Sequence, residues 1–142
     1  DTAEEAQKIV DGCVRSRLPT RVLVVDDSST MRGIVRKILS ASKFPLDVAD
    51  THDGSKALQE MRDGVFDIVF LDYNMPGLDG FEILSELRRL HSHVAVVMIS
   101  STDNPDVAER ARTAGAAGFL RKPFFPADID LVLYRLYGID AP

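Results

Sequence analysis

The chain has a single cysteine, Cys13, among 142 residues. A lone thiol excludes an internal disulfide and fits a reducing compartment, so a cytosolic setting is expected. No apolar run approaches the roughly 18 residues of a membrane span, and no signal peptide is visible. Basic residues do not dominate: 17 Lys and Arg stand against 22 Asp and Glu, for a net charge of -5. That balance argues against nonspecific nucleic-acid binding, although it leaves room for a local basic patch. There is no Gly-x-Gly-x-x-Gly and no P-loop, no low-complexity segment, and no internal repeat beyond strand–helix units. What is present is ordinary for a globular domain, with 45% hydrophobic and 27% charged residues and enough length for one full core. The chain starts at Asp1 rather than Met, as a processed or excised chain would.

From Arg21 onward, apolar runs alternate with amphipathic stretches. The pattern predicts strands at 21–26, 46–50, 66–71, 94–99 and 117–120, and helices at 29–41, 54–63, 80–90, 105–114 and 126–137. Ile68-Val-Phe-Leu71 and Val94-Ala-Val-Val-Met-Ile99 are almost wholly apolar, as strands covered on both faces should be. Met31, Ile34, Val35, Ile38 and Leu39 form the apolar stripe of an amphipathic helix. Asp79 with Glu82 reads as a capping box, and Asn104 as the cap of a helix opening at Pro105. Repeated strand–helix units with short loops imply an α/β domain with a parallel sheet and right-handed crossovers. Residues 1–20 stand outside this rhythm. Ala3, Ala6, Val10, Cys13 and Val14 share one face of an expected helix, which could pack on the domain, pair with a second copy, or end an upstream domain.

Acidic and basic residues close the predicted strands. Asp26 and Asp27 end the first, Asp72 the third and Lys122 the fifth. In an open parallel sheet these ends share the edge at which ligands bind. Three carboxylates gathered there repel one another, raise one or more pKa values, and call for a cation. Oxygen-only ligation suits Mg²⁺, a hard ion often held by one or two carboxylates together with phosphate oxygens. Asp72, on the central strand before the turn-rich Tyr73-Asn-Met-Pro-Gly-Leu-Asp-Gly80, is the candidate nucleophile, since a carboxylate can attack phosphorus to give an acyl phosphate. Lys122 offers a mobile positive charge and Ser100 a hydroxyl donor. His91-Ser-His93 and His52 are more simply read as solvated than as metal ligands.

Val24-Val-Asp-Asp-Ser28, Leu71-Asp-Tyr-Asn-Met-Pro-Gly77, Ile99-Ser-Ser101 and Lys122-Pro-Phe124 together resemble the four signatures of bacterial two-component response-regulator receiver domains, over about residues 20–138. The resemblance implies a doubly wound (βα)5 domain with flavodoxin-like strand order 2-1-3-4-5. The expected division is an N-terminal helical extension or linker at 1–20, a receiver domain at 21–138 and a tail at 139–142. The resemblance makes Asp72 the phosphoacceptor and Asp26, Asp27, Asp72 and the Asn74 backbone carbonyl the ligands of Mg²⁺, with Mn²⁺ as a substitute. It makes Ser100, Lys122 and Phe119 the catalytic and switch residues, and implies a cis Lys122–Pro123 bond. Phe119 stands where Tyr is commoner, so its inward and outward states would differ by packing alone. Ser101 replaces the commoner Ala or Gly.

By this resemblance the chain is a cytoplasmic signalling switch. It would take a phosphoryl group from a histidine kinase or histidine phosphotransfer protein and act on a downstream effector protein. It would catalyse its own phosphorylation and dephosphorylation rather than turn over an external substrate. The change would spread to the face formed by 105–114, 117–120 and 126–137. In the last helix Ile129, Val132, Leu133 and Leu136 should face the sheet. Leu131, Tyr134 and Tyr137 then form a second stripe, to be covered by a second copy, an output partner or the N-terminal helix. The sparse apolar set Val107, Ala108, Ala111 and Ala114 predicts a lightly packed fourth helix. Only Gly-Ile-Asp-Ala-Pro142 follows Tyr137, which favours a stand-alone, chemotaxis-like receiver. Two other readings remain in view. A pseudo-receiver would bind proteins without phosphate. A Mg²⁺-dependent aspartyl phosphatase would need a second acid two residues after the nucleophile, where Asn74 stands.

Overall fold

Alternation of apolar strands with amphipathic helices builds a five-stranded parallel sheet of order β2-β1-β3-β4-β5 in the computed structural model. The structure describes residues 20–63, 66–73, 80–90, 94–101 and 105–138. The strands are β1 (Thr20–Val25), β2 (Leu46–Thr51), β3 (Ile68–Asp72), β4 (Ala95–Ser100) and β5 (Gly118–Arg121). The helices are α1 (Ser29–Ser40), α2 (Gly54–Asp63), α3 (Gly80–Leu90), α4 (Pro105–Thr113) and α5 (Pro126–Leu136). The proposed N-terminal helix, the Asp79 and Asn104 caps, Asn74 and the His91/His93 pair all lie outside the described residues.

Side chains of period two divide the core into two layers. Val22, Val24, Ile68, Phe70, Val97 and Ile99 project to one face, where Val35 and Leu39 of α1 and Ile129, Leu133 and Leu136 of α5 cover them. Leu23, Val25, Val69, Leu71, Val96 and Met98 project to the other, against Ala57 of α2, Leu84 and Leu87 of α3, and Val107 and Ala111 of α4. Every residue of β3 and β4 is buried, as the unbroken apolar runs require, whereas the edge strand β2 is largely half-exposed. In α4 the buried residues are only Val107 and Ala111, which matches its thin apolar stripe.

Caps set the helix starts. The Ser28 Oγ accepts from the Met31 N–H at 3.2 Å at the head of α1. The Asp128 carboxylate accepts from the Phe125 N–H at 2.7 Å, just before Pro126 opens α5. The strand boundaries shift by one or two residues. β1 begins at Thr20, whose N–H reaches the Pro45 carbonyl at 2.9 Å. β3 begins at Ile68 rather than 66, and just before it the Asp67 carboxylate takes the Arg21 N–H at 2.9 Å.

The second stripe of α5 needs a correction. Tyr137 is not a surface residue: it is 3% exposed. Its ring stacks on Phe44 at 4.1 Å between centroids, and its hydroxyl hydrogen-bonds the Thr20 hydroxyl. Tyr134 is half-buried, edge-on to Phe44 at 5.3 Å and beneath the Lys43 ammonium. The turn after α1 thus covers much of this stripe from within the domain. Leu131, 52% exposed, is the member that stays open.

Candidate functional site

The carboxyl edge of the sheet gathers the residues singled out from the sequence. Register pairs Val25 with Leu71, Asp72 with Ile99 and Ser100 with Arg121, so the strand ends are level. Asp26 follows β1, Asp72 closes β3, Ser100 closes β4 and Lys122 follows β5. One carboxylate oxygen from each of Asp26, Asp27 and Asp72 lies within 4.8 Å of the others. The Lys122 Nζ stands 3.6 Å from the Asp26 Oδ2 and 3.5 Å from the Asp72 Oδ1. Asp26 and Asp72 are each 2% exposed and Ser100 is fully buried. Asp27 is exposed and Lys122 half-buried, so the cluster has a closed floor and an open rim.

Backbone bonds hold this arrangement. The Lys122 N–H donates to the Ser100 carbonyl at 2.7 Å and the Tyr73 N–H to the Ile99 carbonyl at 2.8 Å. The Lys122–Pro123 bond is cis, as expected from the resemblance. Asp26 is fixed on every side but one. Its N–H donates to the Thr51 carbonyl at 3.1 Å. Its carbonyl accepts from the Arg32 Nη1 at 2.7 Å, and its Oδ1 accepts from the Ser28 N–H at 2.9 Å. The Oδ2, by contrast, is buried without a hydrogen bond.

Burial sets the electrostatics of this carboxyl. Burial holds the Asp26 carboxyl above the ordinary aspartate pKa; the Ser28 N–H opposes the rise, Asp72 adds to it, Lys122 opposes it and Asp27 adds to it. The sign for stability follows. A carboxyl whose pKa is raised by folding carries no ionisation penalty below about pH 4, and the penalty develops as pH rises through the folded-state value. Asp26→Asn keeps the acceptor for Ser28 and removes the charge. In chelator at pH 7 it should therefore melt higher than the native chain, by on the order of 1 kcal/mol or about 4 °C. The gain should shrink toward pH 4. Thermal melts at the two pH values check this, and a lower melting temperature for the variant at pH 7 would contradict it.

The donor set fits a hard cation. Three carboxylates converge, no softer ligand is among them, and one buried oxygen lacks a hydrogen-bond donor. Phe119 is half-buried on β5 and lines a cavity of about 310 Å³ between α4 and α5, with Ala108, Arg112 and Arg135. Register pairs it with Met98, so it shares the Met98 and Ser100 face of the sheet.

A doubly wound parallel sheet with an acidic cluster and a lysine at its carboxyl edge places the chain among open α/β proteins that bind ligands at that edge. Comparison narrows the class. Residues 22–133 match the model of the response regulator receiver domain. Chemotaxis protein CheY-3 of Vibrio cholerae is 34% identical over 119 residues, 82% of this chain and 91% of that protein. Chemotaxis protein CheY of Pseudomonas aeruginosa is 37% identical over 107 residues, 73% and 85% of the two chains. The crystal structure of the receiver domain of NtrX from Brucella abortus superposes with a TM-score of 0.76 at 35% identity, covering 84% of this chain and 99% of that one. The chain therefore belongs to the response-regulator receiver family, with chemotaxis-type relatives. Members of this family are phosphorylation-regulated elements of two-component signalling; they bind Mg²⁺ at an acidic pocket and interact with kinases and downstream targets. Among the described residues no helix is long and apolar enough to cross a membrane.

The sequence reading missed Arg32. It lies six residues after Asp26 on an ordinary helix, and only the folded chain shows its guanidinium returning to the Asp26 carbonyl.

Proposed function

We propose that the protein is a phosphorylation-activated switch that accepts a phosphoryl group on Asp72. The observation that carries this reading is the Lys122 Nζ standing within 3.6 Å of both Asp26 and Asp72, beside Asp27 on the open rim. A carboxylate oxygen of Asp72 attacks phosphorus, the new O–P bond forms, and the P–N bond to the donor imidazole breaks. The imidazole leaves with the electron pair and takes up a proton. The donor is the phosphohistidine of a sensor kinase or a histidine phosphotransfer protein, which places the switch in the cytoplasm. Asp26, Asp27, Asp72 and the backbone carbonyl of Asn74 would hold Mg²⁺, or Mn²⁺ in its place. Such an ion supplies charge neutralisation to the transferring phosphoryl group. Lys122 meets one of the new oxygens with its ammonium, and the Ser100 hydroxyl donates to another.

Charge added at Asp72, about -1.5 to -2, draws Ser100 and Lys122 toward it. Phe119 turns into the space that Ser100 vacates, against Met98, and the surface of α4, β5 and α5 changes with it. A two-state bias of roughly 1–3 kcal/mol is enough for such a signal. The lightly packed α4 is the element with least to lose on moving. Leu131 and Tyr134 belong to the face that would meet an effector protein or a second copy. The test is transfer from a purified phosphohistidine donor to the native chain and to Asp72→Asn. Transfer to the native chain alone supports the reading. No transfer to either, with Mg²⁺ binding also absent, points to a protein-binding module independent of phosphate.

A further inference from the structure

Asp26 has one carboxylate oxygen that faces the cluster without a hydrogen bond, beside the Lys122 ammonium, while its other bonds run to the scaffold, and one of those runs outside the pocket. Arg32, on the first turns of α1, donates from Nη1 to the Asp26 carbonyl at 2.7 Å. Its Nε lies 3.3 Å from the Asp50 Oδ1 on β2. The other Asp50 oxygen accepts from the Arg36 Nη1 at 2.9 Å, and the same Nη1 donates to the Val48 carbonyl at 3.1 Å. The Arg32 side chain is only 17% exposed. A planar guanidinium serves two acceptors at once at fixed geometry, which a flexible ammonium does not. The turn that carries Asp26 and Asp27 is thereby clamped to the neighbouring strand.

We propose that Arg32, braced by Asp50 and Arg36, is a positioning residue for the cation pocket: it fixes the Asp26 backbone so that the Oδ2 stays aimed at the cluster. It is not among the three clustered carboxylates. It acts through Asp26, as outer-shell partners of metal ligands do. The inference rests on the reading of the pocket as a Mg²⁺ site. A loose turn would let Asp26 and Asp27 move apart to relieve their repulsion. Binding the cation would then include the cost of bringing them back.

The test is Mg²⁺ titration calorimetry on the full chain, paired with the Mg²⁺ dependence of phosphorylation by a small acyl phosphate. Arg32→Ala should weaken Mg²⁺ binding about tenfold. The maximal phosphorylation rate should return at saturating Mg²⁺, a split that general damage to the fold would not produce. Asp50→Ala should weaken binding in the same direction, and the double variant should be no worse than Arg32→Ala, because both break one bracket. Arg32→Lys, the milder change should Arg32→Ala fail to fold, keeps the charge but loses the fork and should lose part of the affinity. Native Mg²⁺ affinity in Arg32→Lys together with Asp50→Ala would overturn the proposal, as would full additivity of Arg32→Ala and Asp50→Ala. If the native chain itself binds no Mg²⁺, the reading of the pocket fails instead.

Discussion

Asp72→Asn should abolish phosphoryl uptake while leaving the fold intact. The side chain is 2% exposed at the end of a fully buried strand, so an isosteric amide fits with no change in packing. Chemistry is what changes. The amide has no anionic oxygen to attack phosphorus, and the loss should be at least about 10³-fold. Stability should not suffer, because Asp72 is one of the charges that penalise ionisation of Asp26. The measurement is intact mass after incubation with a small acyl phosphate and Mg²⁺, alongside thermal melts in chelator. An undiminished adduct on a folded Asp72→Asn chain would move the acceptor elsewhere.

Lys122→Ala should slow phosphorylation without relocating it. The ammonium sits 3.5 Å from the Asp72 Oδ1, where a phosphoryl oxygen would take over from the carboxylate as its partner. Its position is set by the backbone bond from Lys122 to the Ser100 carbonyl rather than by the charge pair alone. Removing a preorganised charge aimed at developing negative charge costs about 10²–10³-fold in rate. The observed rate constant at saturating Mg²⁺ is the readout, because it separates this loss from weaker cation binding. A rate equal to the native one would confine Lys122 to a structural role.

The legible parts of this protein were those that depend on short-range pattern. Unbroken apolar runs identified β3 and β4 as central strands, and acids at the ends of β1 and β3 located the pocket, because parallel topology levels the strand ends. Five strand–helix units implied a parallel sheet, and the resemblance to receiver domains supplied its order. The parts that stayed hidden depend on contacts between distant segments. Tyr137 looked like a member of an outward stripe because helix periodicity says nothing about the turn at Phe44 that covers it. Asp67 fell within the predicted strand 66–71, and nothing in the pattern showed that its carboxylate takes the Arg21 N–H of the neighbouring strand. Arg32 carried no signal at all. Its role depends on a side chain bridging a carbonyl behind it and a carboxylate on β2.

Chemical trapping of the phosphorylated residue tests the central claim most directly. The native chain is incubated with a small acyl phosphate and Mg²⁺, reduced with borohydride, digested and mapped by mass. An aspartyl phosphate is reduced to homoserine, whereas a free aspartate is untouched. The account predicts conversion at Asp72 alone, lost when Mg²⁺ is removed. Conversion at Asp26 or Asp27, or none with either an acyl phosphate or a phosphohistidine donor, would contradict it.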